Sequence, residues 1–286
     1  MTCAQSAPLR VAAKQTPHDP SSGDHIVTEI NRFTLDELAA FDRDGCVIAR
    51  GLIDREALRQ MRELSLDHLR REVPPVEFEA ELHYPGAPPS LESQGGRTVR
   101  RLKQAHSRGY VFTEWMLQPA VRERLQQLLG PRVICPLAHH NSIMTKQPRY
   151  SSDTGWHQDI RYWSFERPEL VSVWIALGEE YAANGGLWVI PGSHRLSFRP
   201  DQFDSAKFFR EDLPENQPLI ATRREITLSP GDVLFFHCLA LHAAARNQTD
   251  ETKLSVVFTF RPESNPPVAG SRSAASPEMI ITPGVV

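Results

Sequence analysis

The sequence predicts a mainly β domain preceded by helices. Two observations support this prediction. Apolar residues at helical spacing, with capping signals, are confined to residues 28–131, whereas short apolar runs separated by glycine and proline turns dominate residues 132–265. No linker rich in glycine or serine separates the two parts, which indicates one domain over residues 28–265. The second part should therefore form an antiparallel sandwich or barrel.

The helical part opens with two capped helices. Thr34 and Glu37 form a capping-box pattern, and Asp54 precedes a second, longer periodic segment. A short apolar run between these segments predicts a strand. A further helix is expected over residues 112–129, because the periodicity resumes there and stops at Gly130.

Proline, glycine and polar residues dominate residues 74–108, which predicts a long loop. Loops of this length inside a compact domain are usually functional, so the segment is a candidate lid. Residues 1–27 and 266–286 show no apolar periodicity. Both ends are therefore expected to be flexible tails.

Six short runs with strand character follow the helical part. They cover residues 133–136, 142–146, 171–177, 187–190, 233–237 and 254–260. Turn signals rich in glycine and proline lie between several of these runs. The spacing of strands and turns favours an antiparallel arrangement of the sheet.

Composition excludes several classes of protein. The chain has 286 residues, 40% of them hydrophobic, with a formal net charge of −3, so it lacks the basic character of an electrostatic nucleic-acid binder. No apolar run approaches the roughly 18 to 20 residues of a membrane span. The four cysteines are scattered, with no secretory leader before them, which predicts reduced thiols and a cytoplasmic location. We expect a small-molecule partner, and neither nucleic acid nor a membrane.

His157 and Asp159 are separated by one residue, and on an extended segment such residues project from the same face. Further along the chain, His237 and His242 offer a third ligand. Two histidines and one carboxylate make the face that leaves open positions on non-haem Fe(II). Taken alone, the pattern also fits buried histidines that are simply hydrogen-bonded.

The ordered series of motifs resembles the phytanoyl-CoA dioxygenase family of Fe(II)/2-oxoglutarate oxygenases. The motifs are His157-Gln158-Asp159 with Tyr162, Val173-Trp174-Ile175-Ala176-Leu177, Asn184-Gly185-Gly186-Leu187, Val189-Ile190-Pro191-Gly192-Ser193-His194, Pro230-Gly231-Asp232-Val233, and His242 with Asn247. The resemblance covers residues 34–261. It implies a double-stranded β-helix, which is a jelly-roll, cupin-like core, with helices packed at its N-terminal side.

The resemblance implies a ligand set and two cosubstrates. His157, Asp159 and His242 would bind Fe(II), with 2-oxoglutarate and O2 as cosubstrates; by position, the distal histidine matches His242 and not His237. Further contacts with 2-oxoglutarate are implied for Trp174, Ser142 and Arg101.

The family places an arginine eleven positions after the distal histidine, where it holds the distal carboxylate of 2-oxoglutarate. This sequence has Lys253 there. Lysine supplies the charge but not the bidentate fork. Ser255, which shares a face of the same strand, could donate a second hydrogen bond. The charges of iron, Asp159, the cosubstrate and Lys253 would cancel.

The expected function is hydroxylation of an unactivated C–H bond of a small molecule, with succinate and CO2 as co-products. Asp159 favours this reaction over halogenation, since related halogenases carry glycine or alanine at that position. Lysine in place of arginine leaves open a catalytically silent, metal-binding cupin-like binder or sensor, and the same ligands would suit a Zn or Mn hydrolase. Acyl-CoA thioesters, amino acids and natural-product intermediates all remain open as substrates, and so does the oligomeric state.

Overall fold

The computed structural model describes residues 31–282, so the expected tail of residues 1–27 lies outside the described part. The helices are α1 (Leu35–Asp44), α2 (Arg55–Arg70), α3 (Tyr110–Met116), α4 (Pro119–Leu129) and α5 (Gln217–Ile220). The strands are β1 (Cys46–Ala49), β2 (Val76–Phe78), β3 (Val99–Lys103), β4 (Val133–Pro136), β5 (Asn141–Lys146), β6 (Thr154–His157), β7 (Val171–Ala176), β8 (Leu187–Val189), β9 (Arg224–Glu225), β10 (Val233–His237), β11 (His242–Ala244), β12 (Lys253–Pro262) and β13 (Glu278–Ile280).

Two antiparallel sheets form the core. The larger has the order β1-β10-β7-β12-β5-β3-β2, with β4 paired to β12 and β13 paired to β4, and the smaller has the order β6-β11-β8-β9. The six runs expected from the sequence correspond to β4, β5, β7, β8, β10 and β12. The strands β6, β9, β11 and β13 are not predicted by the pattern, because none of them consists of a continuous run of apolar residues.

Strand alternation divides the larger sheet into an apolar face and a mixed face. On β12, Leu254, Val256 and Phe258 belong to the core cluster that the helices cover, while Lys253 and Ser255 occupy the alternate positions. The mixed face is turned to the smaller sheet and carries the second apolar cluster, which joins β7, β8, β10 and β11. Polar side chains are therefore buried between the two sheets and not beneath the helices.

The predicted caps are present, but the expected helix over residues 112–129 is two helices. Thr34 Oγ1 accepts from the Glu37 amide at 3.2 Å, and Asp54 caps α2. The break falls before Pro119, the first residue of α4, because proline has no amide hydrogen and disfavours a helical residue before it.

The expected loop over residues 74–108 contains two strands. β3 pairs with both β2 and β5, and it extends the larger sheet. The sequence of β3 shows no alternation of apolar and polar residues, because Arg100, Arg101 and Lys103 dominate it. Arg100 pairs with Glu79, and Arg101 and Lys103 share Glu77. The prediction of a continuous loop is therefore wrong for this segment.

The C-terminal residues up to 282 are part of the domain, so the expectation of a tail from residue 266 is wrong for the described residues. β13 pairs with β4, and the next residue, Ile281, is fully buried. Thr282 Oγ1 accepts a hydrogen bond from the Val133 amide at 2.9 Å. The segment is ordered by an edge strand far away in sequence, which its polar composition does not reveal.

No helix within residues 31–282 has both the length and the apolarity that a membrane span needs.

Replacing Ile281 with alanine should destabilise the protein by about 2 to 5 kcal/mol, because a fully buried side chain leaves a cavity. Its neighbour Ile280 is 59% exposed, so Ile280→Ala is the matched control and should change the free energy of unfolding by less than about 0.5 kcal/mol. Urea unfolding measures both. Equal effects of the two substitutions would contradict the docking of this segment.

Candidate metal centre

Two strands of the smaller sheet bring the predicted ligands together. β6 and β11 are antiparallel neighbours with His157 opposite His242, and the two imidazole centroids are 4.1 Å apart. Asp159 follows β6 at the start of a short 3-10 turn. One ligand atom from each of the three residues lies within 4.8 Å of the others, and all three residues are buried. The fold thus brings His242 next to His157 and Asp159, although it lies more than 80 residues away in the sequence.

The donor atoms suit a metal ion. Asp159 Oδ1 is 3.4 Å from His242 Nε2 and 3.9 Å from His157 Nε2, and this buried oxygen has no hydrogen-bond partner. The Nδ1 atoms of His157 and His242 lie 2.8 and 3.0 Å from the carbonyls of Gly155 and Ala240. A carbonyl can only accept, so each Nδ1 carries the hydrogen and each Nε2 lone pair faces the shared point. This two-histidine, one-carboxylate set fits Fe(II).

The surroundings keep Asp159 ionised and oriented. Its Oδ2 accepts a hydrogen bond from Ser172 Oγ at 2.6 Å and lies 3.3 Å from His140 Nδ1. Burial alone would raise the pKa of Asp159, but His140 and His242 outweigh it and hold that pKa well below its usual value. Burial, with the charges of His242 and Arg161, holds the pKa of His157 well below its usual value. A neutral imidazole and an ionised carboxylate are the forms that bind a metal.

His237 and His194 lie away from this centre. Their rings are 5.4 Å apart, His237 Nδ1 accepts from the Leu239 amide at 3.1 Å, and His194 Nε2 lies 3.1 Å from the Asp42 carbonyl. Both histidines are thus engaged with the backbone and lie outside the group of three possible ligands.

A cavity of about 480 Å³ opens beside the three ligands. Alternate residues of β5, namely Ser142, Met144 and Lys146, form part of its wall. Its other lining residues include His139, His140, Trp174, Leu187, Phe236, Val257, Arg101 and Lys253. This volume is within the range of small-molecule sites.

Three of the residues expected to contact 2-oxoglutarate bind a carboxylate of the protein itself. Lys253 Nζ donates to Glu180 Oε2 at 3.1 Å, and Ser255 Oγ donates to Glu180 Oε1 at 2.6 Å. Trp174 Nε1 lies 3.1 and 3.0 Å from the same two oxygens. Glu180 is fully buried. Lys253 is therefore already neutralised, which changes the charge balance expected from the sequence.

The other two expected contacts also have definite places. Ser142 forms part of the cavity wall. Arg101 lines the cavity too, and its Nε is 3.3 Å from Glu77 Oε1, so it is ion-paired in the sheet extension formed by β2 and β3.

Lys146 is a buried cation of the cavity wall that has no such partner among residues 31–282. It is paired in register with Lys253 across β5 and β12, lines the cavity, and donates to the Ser152 carbonyl. Within residues 31–282 no carboxylate lies at ion-pair distance from its Nζ, and Arg100 beside it is paired with Glu79 at 3.1 Å. Burial, with Arg100, lowers the pKa of Lys146 to about 7.

Sequence reasoning missed both Lys146 and Glu180. Lys146 carries a usable signal, because Ser142 and Lys146 are four residues apart on a strand and so share a face. Glu180 lies in the loop between β7 and β8, where no periodicity marks a side chain as buried.

The phytanoyl-CoA dioxygenase family model matches residues 41–255, which is most of the chain. The chain belongs to this family. It is accordingly an oxygenase dependent on Fe(II) and 2-oxoglutarate, with O2 as the oxidant, and the buried triad has the ligand types that could hold the iron of such an enzyme. Ectoine dioxygenase from Nocardia farcinica is 26% identical over 275 residues, covering 88% of this chain and 85% of that protein. The human peroxisomal phytanoyl-CoA dioxygenase is 24% identical over 241 residues, covering 80% and 69%.

Solved structures show the same fold. The crystal structure of EctD from S. alaskensis with 2-oxoglutarate and 5-hydroxyectoine has a TM-score of 0.68 at 19% identity, covering 87% of this chain and 81% of that one. The non-heme alpha ketoglutarate dependent carbocyclase SnoK from nogalamycin biosynthesis has a TM-score of 0.63 at 18% identity, covering 82% and 86%. The family member described here therefore has the jelly-roll, cupin-like core that the motifs imply.

Replacing His242 with alanine should weaken metal binding by more than about 100-fold, since a direct ligand matters more than the residues that orient it. His237→Ala, five residues away and outside the centre, is the control and should leave one metal ion per chain. Metal content after anaerobic loading with Fe(II) and desalting measures both variants. The triad would be excluded as the metal site if the His242 variant kept a full equivalent of iron.

Proposed function

We propose that this enzyme hydroxylates an unactivated C–H bond of a small molecule. In the balanced reaction, substrate, O2 and 2-oxoglutarate give hydroxylated substrate, succinate and CO2. The observation that carries the proposal is the buried triad of His157, Asp159 and His242 at the wall of the cavity. With Asp159 present as an ionised ligand, the protein leaves no vacated position for a halide, so hydroxylation is favoured over halogenation.

Iron and 2-oxoglutarate supply the oxidative decarboxylation that activates O2. The protein positions the residues that would hold the metal. Ser172 holds Asp159 through Oδ2 and leaves Oδ1 for the metal. Phe236 packs edge-on against the His242 ring, with centroids 5.0 Å apart, and fixes its tilt. The apolar part of the wall excludes water from the reacting carbon.

We propose that Lys146, and not Lys253, holds the distal carboxylate of 2-oxoglutarate. Lys253 and Glu180 neutralise each other, and so do Arg100 and Glu79. Arg161 and the group of Arg101, Lys103 and Glu77 also line the cavity, but their cations are only partly buried. Apart from these groups, the buried charges left over are those of Lys146, Asp159, the ferrous ion and the cosubstrate dianion, and these cancel. A neutral site is the arrangement that a low-dielectric cavity tolerates.

The same observation bears on the catalytically silent alternative. That alternative rests on Lys253 standing where the family has arginine. With Lys146 available in the cavity wall, the site keeps a cation for the cosubstrate, so the lysine substitution no longer favours a silent binder. The cytoplasmic location stays a prediction, and the sequence selects none of the three substrate classes named above.

Relatives of the chain act on different molecules, as the names ectoine dioxygenase and phytanoyl-CoA dioxygenase state. We propose a small molecule whose oxidised carbon enters the 480 Å³ cavity together with the cosubstrate.

Anaerobic addition of Fe(II) and 2-oxoglutarate should produce a metal-to-ligand charge-transfer band, and exposure to O2 should then yield succinate. Asp159→Ala should show neither signal, because it removes a ligand. Asp153→Asn is a matched control, since Asp153 pairs with Arg246 outside the triad. Absence of both the band and succinate in the wild type would favour the silent binder.

Lys146→Met should raise the Kd of 2-oxoglutarate by about tenfold or more, because a charge-assisted hydrogen bond of about 1.5 to 3 kcal/mol is lost. Titration of the charge-transfer band under anaerobic conditions gives the Kd. Lys103→Met, which removes an ion-paired lysine at the edge of the same cavity, is the control. A Kd unchanged by Lys146→Met would refute the assignment.

The affinity should also depend on pH. Because the pKa of Lys146 is about 7 in a setting that includes Arg100, Glu79, Lys253 and Asp153, the lysine loses its proton as pH rises through that value. The bound dianion favours the protonated form, so the Kd should increase above pH of about 7 in the wild type. The Lys146→Met variant should lack this increase, which a purely structural lysine would not explain.

A further inference from the structure

We propose that Glu180 selects which of two lysines receives the distal carboxylate of 2-oxoglutarate. By occupying Lys253, Glu180 leaves the role to Lys146; without the charge of Glu180, Lys253 would take it. The inference rests on the proposed function, namely that the cavity binds 2-oxoglutarate through a lysine.

The two lysines are equivalent in placement. Lys146 on β5 and Lys253 on β12 are paired in register, both are buried, and both line the cavity. Residues directly opposite on neighbouring antiparallel strands project from the same face of the sheet. By position alone, either of these two neighbouring ammonium groups could bind the distal carboxylate of 2-oxoglutarate in the cavity.

Glu180 removes that equivalence. Its two carboxylate oxygens receive the Lys253 ammonium, the Ser255 hydroxyl and the Trp174 indole N–H at 2.6 to 3.1 Å. Lys253 Nζ also lies 2.9 Å from Ser255 Oγ and 4.9 Å from the centre of the Trp174 ring. Without Glu180, these three groups could donate hydrogen bonds to a carboxylate of the cosubstrate. Glu180 therefore occupies the donors at this end of the cavity.

The backbone holds Glu180 in this position. Its amide donates to the Leu228 carbonyl at 2.8 Å, and the Leu228 amide donates back to the Glu180 carbonyl at 3.0 Å. This reciprocal pair of hydrogen bonds fixes the backbone of Glu180, four residues after the end of β7.

Removing the Glu180 carboxylate would leave the charge of Lys253 buried without a counter-charge. A buried lysine in that state is stabilised by binding another anion. The distal carboxylate of 2-oxoglutarate is the anion that would bind there in the proposed reaction.

The decisive experiment is a rescue. Lys146→Met alone should weaken 2-oxoglutarate binding by about tenfold or more. Adding Glu180→Gln should bring the Kd back to within about threefold of the wild type, because Lys253 is released. The triple variant that also carries Lys253→Met should lose the restored affinity. Glu179→Gln, at the exposed neighbouring residue, is the matched control and should rescue nothing.

The readout is the Kd from the anaerobic charge-transfer band, with 2-oxobutyrate as a probe that lacks the distal carboxylate. All variants should bind 2-oxobutyrate alike, which shows that the iron and the folded cavity are intact. If Glu180→Gln does not fold, Glu180→Ala takes its place. The double variant Glu180→Gln/Lys253→Met removes the buried pair as a unit, leaves Lys146 in place and gives a second test. Its Kd for 2-oxoglutarate should stay within about threefold of the wild type.

Two failures are distinguishable. A wild type that shows no band with Fe(II) and 2-oxoglutarate contradicts the proposed function. A wild type that binds normally, combined with a double variant that shows no rescue, overturns the role of Glu180. A tenfold loss in Glu180→Gln/Lys253→Met, in which no buried charge is left unpaired, overturns it as well, since it would mean that Lys253 and not Lys146 holds the cosubstrate.

Discussion

The antiparallel pairing of β6 with β11 places His157 opposite His242, and the proposed metal centre depends on this pairing. A shift of one residue in register would turn one imidazole to the other face of the small sheet. The turn that follows β6 brings Asp159 to the same point, and Ser172 on the larger sheet holds its second oxygen. The metal centre thus needs both sheets, and their packing determines its geometry.

The burial of that centre imposes a second constraint, which is charge neutrality. Lys146, Lys253 and Arg100 are the buried cations that line the cavity within residues 31–282, and the charges of Glu79, Glu180 and Asp159 equal theirs in number. A ferrous ion and a dianionic cosubstrate add equal and opposite charge, so these buried charges sum to zero when Lys146 is protonated and both are bound. In a low-dielectric interior this balance decides which ligands the cavity accepts.

The helices and the added strands support this arrangement from outside. The apolar face of the larger sheet packs on α2, α3 and α4, which leaves the opposite face free to carry polar residues. β2 and β3 extend that sheet beside the cavity, and β13 covers the edge at β4. Segments that look like loop or tail in composition therefore complete the wall and the edge of the site.

The sequence by itself predicted the family from an ordered series of local motifs, namely an HxD triplet, glycine turns and strand runs. The resemblance to that family then implied the jelly-roll core and the three expected metal ligands. Tertiary structure decided how the charges pair. Lys253 matches the position of the family's arginine, yet only the folded chain brings Glu180 against it and leaves Lys146 without a carboxylate partner in the part of the chain that the structure describes. The physical reason is that a buried ion pair is made between strands and loops distant in sequence, and no local pattern records which carboxylate a lysine will meet.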